Sequence, residues 1–459
     1  MEDPPLRLGE VRGPLRPRKQ GVVGRNLLSR ALLGRQAQTR VPTRDAVKPK
    51  AIDLFAGPGG LSLGLRMAGF EILGAIELDE VAGDTYRRNF DHPSKQRDIT
   101  QYHPKEFRSF LEDSEILQQG EGIDLVAGGP PCPGFSLIGR SKIADLIKKG
   151  EYGDSKEFRH RFIDDPRNEL FREFVKYVDE FQPSYFIMEN VSGMTSYQID
   201  DDPIVDVIKG SFDGYEVRHN ILNSSNFGVP QDRKRIIFLG NKIGLSEVKW
   251  PEHSDAKIKT AGEVIADLSD MSLSEDGKGE ISSHWTRKTN DRDKILFKFI
   301  KSGSPKGEIG DLKIKSSEPR QIYGDIFPSK WNSDLIPAFK KAGMRAWKRG
   351  RCFVQSDSGR RWKMYDQEGF KDKMRRIRWD RPAPTIVAHL AKDGYMFIHP
   401  WKDRTITVRE AARFQSFPDD FEFEGSMTAQ FRQVGNAVPP LLAKALGESV
   451  IEALSSISD

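Results

Sequence analysis

The feature that most constrains this chain is a short apolar run, Ala51–Phe55, ending in Ala56-Gly57-Pro58-Gly59-Gly60. An apolar run of that length, closed by glycine and proline, reads as a buried strand. Glycines directly after a strand let the backbone turn tightly and let a ligand approach closely. A plain tight turn would use them equally well. The alternation then continues: Leu61–Ala68 reads as a helix, and Glu71–Ile76 and Ile123–Ala127 read as strands. Glu169–Phe181 is amphipathic, with Leu170, Phe171, Phe174 and Val178 on one face and Pro183 just beyond its end. Tyr185–Met188, Val217–Leu222 and Ile236–Leu239 complete the buried-strand candidates. Strands separated by helices predict an α/β layered sheet with crossover connections.

Four regions follow from the changes in texture. Residues 1–48 carry nine arginines and little apolar pattern, as expected of a disordered basic arm. Such an arm is a solvated tail, a non-specific attractor of nucleic acid or, less simply, an organellar transit peptide. Residues 49–241 form the first part of the regular α/β domain. Between 242 and 378 the alternation stops, and stretches such as Arg345-Ala346-Trp347-Lys348-Arg349 and Arg360-Arg361-Trp362-Lys363 predict a smaller, irregular second domain. Residues 379–459 return to the first domain through helices at Val408–Phe414 and Val438–Leu454, where Pro439 and Pro440 suit a first turn.

Composition excludes several classes. No run of about 18 apolar residues is present, which argues against a membrane span. A net charge of +5 permits a polyanionic partner without demanding one. Only two cysteines occur, Cys132 and Cys352. That excludes a disulfide framework and a cysteine-rich metal site, and it fits a reducing cytoplasm.

Four places then carry chemistry. Glu77 lies 77 − 57 = 20 residues beyond Gly57, at the end of the next strand. There a carboxylate accepts hydrogen bonds from ribose hydroxyls, so an adenosine-containing cofactor is expected. Gly128-Gly129-Pro130-Pro131-Cys132-Pro133-Gly134-Phe135-Ser136 directly follows the strand Ile123–Ala127. Strand carboxyl ends are where open α/β sheets bind ligands, and the prolines restrict the backbone around the thiol. Glu189-Asn190-Val191 closes an apolar strand, and a carboxylate there needs a partner or a use. In Gln231-Asp232-Arg233-Lys234-Arg235, strand alternation would send Arg233 and Arg235 to the same side.

Together these motifs make the chain closely resemble the bacterial-type DNA cytosine-5 methyltransferases. The likeness rests on Asp53–Gly60, Glu77, Asp98-Ile99, Gly129–Ser136, Glu189–Val191 and Gln231–Arg235. It continues through Arg381–Thr385, Arg409–Pro418 and Gln433–Pro439, in the family's order. The resemblance implies a Rossmann-like S-adenosylmethionine-dependent sheet, with residues 242–378 as target-recognition domain. It implies Cys132 as nucleophile at cytosine C6, Glu189 at N3, and Arg233 and Arg235 near the base O2 and the acid. For the cofactor it implies Phe55 on the adenine, Glu77 on the ribose and Asp98 on the amino group, with Gly57, Gly59, Leu170 and Asn436 completing the pocket. Asn436 lies near the far end of the chain, so the C-terminal helix is expected beside the first strand. One departure stands: Pro133 occupies a position where the family commonly has Gln.

The resulting expectation is methyl transfer to C5 of a flipped-out cytosine in a short duplex DNA sequence, by a monomer without metal. The setting is a restriction-modification system, with a cognate endonuclease as optional companion, or a solitary methylase. The alternatives are a tRNA-methylating relative and a DNA-binding relative that has lost catalysis.

Overall fold

The structure is a computed structural model describing residues 48–131, 169–199, 202–254, 257–274, 277–289, 293, 294, 297, 344–349, 351–356, 361–363, 376–392 and 394–457. The expected basic arm, residues 1–48, lies outside the described residues except for Lys48.

A seven-stranded sheet organises the chain. Its strands are β1 (Lys50–Leu54), β2 (Glu71–Glu77), β3 (Ser94–Gln96), β4 (Leu125–Gly128), β5 (Tyr185–Val191), β6 (Tyr215–Asn223) and β7 (Lys234–Lys242). The spatial order is β3-β2-β1-β4-β5-β7-β6. Pairing is parallel from β3 through β5, and β7 runs antiparallel between β5 and β6. The order reverses direction between β1 and β4, which places a crevice outside the carboxyl ends of these two strands. This is the expected Rossmann-like α/β layering.

Strand periodicity divides the core. Side chains alternate across a sheet, so Ile52, Leu54, Val126, Phe186, Met188, Ile236 and Phe238 fall in one cluster. Ala51, Leu125, Ala127, Tyr185, Ile187, Ile237 and Leu239 fall in another. The first cluster is covered by α3 (Pro104–Asp113) and α4 (Phe171–Phe181). The second is covered by α1 (Gly60–Ala68) and the C-terminal helix, Pro440–Ser455. The C-terminal helix thus shares a core with Ala51 of β1, packed chiefly against α1. Like α3, the helices α2 (Glu80–Asn89) and α5 (Ile204–Lys209) of this part were not read from the sequence. Asp79 caps α2 by accepting the Ala82 amide at 3.0 Å.

The stretch from 242 to 378, expected to be irregular, contains regular elements. Helix α6 (Ala261–Asp270) begins with a capping box between Thr260 and Glu263. Strands β8 (Met344–Arg349), β9 (Arg351–Ser356) and β10 (Arg361–Lys363) form an antiparallel sheet, with Cys352 on its middle strand. The Trp- and Arg-rich segments Arg345–Arg349 and Arg361–Lys363, expected to be irregular, lie in strands β8 and β10. A third core cluster joins Ala261 and Ile265 of α6 to apolar residues of 377–437, including α7 (Val408–Phe414) and α8 (Met427–Asn436). The C-terminal helix is α9. Among the described residues no helix is long and apolar enough to cross a membrane.

Candidate active site

The loop joining β1 to α1 is an unusual piece of backbone. Phe55, Gly57 and Gly59 have φ of 58°, 56° and 101°. A left-handed conformation costs a residue bearing Cβ roughly 1–2 kcal/mol, so glycine suits two of these positions and Phe55 is held there by its surroundings. Its ring packs against the first core cluster. The Gly57 amide donates to Glu77 Oε2 at 2.7 Å, and the Asp79 amide donates to Glu77 Oε1 at 2.7 Å. β1 and β2 are neighbours, so the twenty-residue spacing in sequence closes into one hydrogen bond. Burial pushes the Glu77 carboxyl above its ordinary value, and the two amides pull it back. A Cβ placed on Gly57 would meet nothing within 4 Å, so the loop faces open space at this point.

The remaining cofactor candidates border the same strand ends. Asp98 follows β3 and accepts the Thr100 amide and hydroxyl through Oδ1 at 3.0 and 2.8 Å. Its Oδ2 has no partner among the described residues. Leu170 precedes α4, half-buried against the first core cluster. Asn436 is the last, exposed residue of α8. Immediately after it, the Val438 carbonyl lies 2.2 Å from where a Cβ on Gly60 would sit, which only glycine permits. This open loop, the half-buried Glu77 carboxylate beside it and an Asp98 oxygen without a partner among the described residues fit an adenosine-bearing ligand.

Beneath the loop lies a polar chain that sequence reasoning did not single out as a site. Asp53 Oδ2 accepts the Ser62 amide at 3.1 Å and the Ser62 hydroxyl at 2.6 Å. Ser62 Oγ contacts Tyr86 Oη at 2.6 Å, and Tyr86 Oη contacts His92 Nε2 at 2.6 Å. Asp53 is fully buried with its Oδ1 unpartnered, and desolvation raises its pKa to about 7. Burial likewise lowers His92 to about 4.

On the other side of the β1–β4 crevice stands Glu189. Arg235 Nε lies 2.8 Å from Glu189 Oε1, each side chain only 12% exposed. The register explains the meeting. Arg235 faces Val191 and Ile237 faces Glu189, so Arg235 and Glu189 are diagonal neighbours on one face. Burial lowers the Arg235 pKa, and Glu189 opposes that shift. The second oxygen, Oε2, has no hydrogen-bond partner among the described residues and lies 3.3 Å from the Cβ position of Gly129. Asn190 Nδ2 donates to the Pro130 carbonyl at 3.0 Å, which holds the start of the Pro-Pro-Cys loop beside Glu189. Cys132 and Pro133 lie outside the described residues.

Arg233 has a different environment from Arg235. Strand pairing is interrupted between Asp232 and Lys234, so simple alternation does not carry through Arg233. Its side chain is 1% exposed and donates to the carbonyls of Ile386, Gly435 and Ala437 at 2.8–3.3 Å. The two arginines expected at one acid therefore hold different partners. Gln231 and Gln415, both fully buried, belong to the same set of contacts and were not read as site residues. Their signal was membership of the Gln231–Arg235 and Arg409–Pro418 motifs. Among the described residues no group of His, Cys, Asp and Glu could hold a metal ion.

Residues 49–452 match the family model for C-5 cytosine-specific DNA methylase. The chain is 32% identical to the Type II methyltransferase M1.HphI of Haemophilus parahaemolyticus, over 87% of this chain and 86% of that protein. It is 33% identical to M.DdeI of Desulfomicrobium norvegicum, over 87% and 88%. A solved structure from E. coli, described as a prophage-encoded DNA modification methyltransferase, superposes with a TM-score of 0.56 at 23% identity, covering 89% of this chain and all of that one. That likeness supports the fold. The strand order and the paired loops thus define a Rossmann-like methyltransferase. The chain belongs to the C-5 cytosine-specific DNA methylase family and is a DNA cytosine-5 methyltransferase.

Proposed function

We propose that the chain methylates C5 of a cytosine flipped out of a short specific sequence in duplex DNA, with Cys132 as nucleophile and S-adenosylmethionine as methyl donor. The observation that carries the reading is Glu189: Arg235 fixes one oxygen, and the other, without a partner among the described residues, borders Gly129, three residues before Cys132.

Cytosine C5 is a weak nucleophile, and C6 must first be attacked to activate it. The Cys132 thiolate forms an S–C6 bond while Glu189 delivers or holds a proton at N3, so the ring becomes an enamine nucleophilic at C5. A thiol of pKa about 8.5 is only a few per cent ionised near neutrality, and neighbouring positive charge raises that fraction. After C5 is alkylated, its proton leaves and the S–C6 bond breaks, which frees the thiolate. Arg235 orients Glu189 throughout. The bound cofactor supplies an electrophilic methyl group. Glu77, Asp98, Phe55, Leu170, the Gly57–Gly59 loop and Asn436 would hold it. Extracting the base from the stack costs a few kcal/mol, roughly, and requires groove and phosphate contacts. Residues 242–378 are the reading's target-recognition region, and the Type II relatives favour a restriction-modification setting. The chain acts as a monomer on this reading.

Duplex DNA carrying 5-fluorocytosine in place of cytosine tests the chemistry, because fluorine replaces the C5 hydrogen and cannot be removed by a base, so the S–C6 bond cannot break. The expected result is a cofactor-dependent covalent adduct, absent in Cys132→Ser. An adduct that forms equally with Cys132→Ser would overturn the nucleophile assignment. Methyl transfer to tRNA alone, with none to duplex DNA, would overturn the substrate.

A further inference from the structure

Three buried side chains tie together segments that are far apart in sequence. Gln231 Nε2 donates to the Phe414 carbonyl at 3.1 Å and to Gln415 Oε1 at 2.8 Å, while its Oε1 accepts the Ile386 amide at 2.7 Å. Gln415 Nε2 donates to the Val434 and Ala437 carbonyls at 2.6 and 3.2 Å. Arg233 donates to the carbonyls of Ile386, Gly435 and Ala437. Its acceptors are all main-chain oxygens, and desolvation lowers its pKa strongly. A buried guanidinium is tolerable only while such acceptors stay in place, and the acceptors lose their donors if it goes. The packing is close as well: a Cβ on Gly435 would stand 2.3 Å from the Ala388 amide nitrogen.

Two of the carbonyls held by Arg233, those of Gly435 and Ala437, flank Asn436, and Val438 beyond them touches both halves of the crevice. The Val438 carbonyl presses on Gly60 of the cofactor loop, and its Cγ2 lies 4.0 Å from the Cβ position of Gly129, beside Glu189. We infer that Arg233 is a positioning residue for the cofactor. With Gln231 and Gln415 it sets the α8–α9 turn, and thereby Asn436 and the glycine loop, at a fixed offset from Arg235 and Glu189. The inference rests on the reading that S-adenosylmethionine occupies the β1–α1 loop. It separates two arginines that lie two positions apart: Arg235 serves the target base and Arg233 serves the other substrate, through backbone it holds but without touching it.

The test compares S-adenosylmethionine dissociation constants of the purified chain and its variants by equilibrium dialysis. Amide hydrogen exchange of residues 434–438 is measured alongside in cofactor-free protein. Arg233→Met is expected to weaken cofactor binding at least tenfold, to speed exchange across 434–438, and to raise KM for cofactor far more than it lowers kcat at saturation. Arg235→Lys is expected to do the reverse, with cofactor affinity within twofold of wild type and kcat reduced. If Arg233→Met does not fold, as judged by circular dichroism and melting, Gly435→Ala decides: it drives the same two backbone segments apart without removing charge, and should weaken cofactor binding likewise. A folded Arg233→Met, or failing that a folded Gly435→Ala, with wild-type cofactor affinity and wild-type exchange overturns the inference. Failure of the wild-type chain to bind S-adenosylmethionine would instead overturn the cofactor reading, and would appear before any variant is compared.

Discussion

Two acid–guanidinium pairs in this molecule look alike and do opposite things. Glu410 is fully buried, and Arg404 grips both its oxygens at 2.8 and 2.6 Å. Its Oε2 also accepts the Thr407 amide at 2.8 Å, closing the capping box of α7, and His399 Nε2 lies 3.4 Å from Oε1. Burial raises its pKa, but Arg404 and His399 outweigh that and hold the carboxyl far below its ordinary range. Glu189 is comparably sheltered, yet Arg235 takes one oxygen and the other stays open toward Gly129. The fully buried Glu410, gripped by Arg404 and closing a helix cap, holds the fold together. A carboxylate with an uncommitted oxygen at a strand end is available to a ligand.

The comparison breaks first at the acids themselves. Glu189→Gln should cut methyl transfer by about a thousandfold, roughly 4 kcal/mol in barrier, because a fixed amide cannot donate the proton at N3. Its unfolding free energy in urea should fall by about 1–3 kcal/mol, since Arg235 also loses its anion, but by less than for Glu410, which accepts two hydrogen bonds from Arg404 and a third from the Thr407 amide. Glu410→Gln should show the converse, losing about 3–5 kcal/mol of stability since Arg404 is left without its anion. Its activity should fall only as the folded fraction falls. A Glu410 variant that is stable but inactive would collapse the distinction.

A smaller effect concerns the third buried carboxyl. Asp53 has a folded pKa near 7, above its unfolded value. The native state therefore binds the extra proton between about pH 4 and 7, and stability falls as pH rises across that window. The slope is on the order of 1 kcal/mol per pH unit, levelling above pH 7. Asp53→Asn should flatten it, as read from urea midpoints at pH 5 and 8; an unchanged slope would place the titration elsewhere. Smallest of all, Thr260→Ala should cost about 1 kcal/mol by removing the cap of α6, with methyl transfer unaffected below the melting range.

Much of the sheet was legible because its central strands are buried on both faces and read as continuous apolar runs; β6, expected to be buried, is instead an edge strand, mostly exposed or half-buried. β1, β2, β4, β5, β6 and β7 lie where those runs fall, with ends shifted by a few residues. The helices α2, α3, α5, α6 and α8 were not read. Their apolar residues are few or interrupted by glycine, and caps such as Asp79, Thr260 and Ser426 carry the signal instead. The three-stranded sheet of β8–β10 was hidden by its charge, since a run of Arg, Lys and Trp looks like a surface loop until a partner strand is known.

Sequence alone determined the inventory of this site: a glycine turn after a strand, an acid one strand later, a constrained thiol and an acid with two arginines. Those follow from local rules, namely alternation, turn chemistry and the placement of motifs at strand ends. Which arginine meets Glu189 was decided only by tertiary structure. Two residues of separation place Arg233 and Arg235 in one motif. The register of β5 against β7 gives Arg235 the acid, while packing of Ile386, Gly435 and Ala437 gives Arg233 three carbonyls. Hydrogen-bond partners more than a hundred residues away leave no trace in local periodicity, because they are fixed by how the whole core closes.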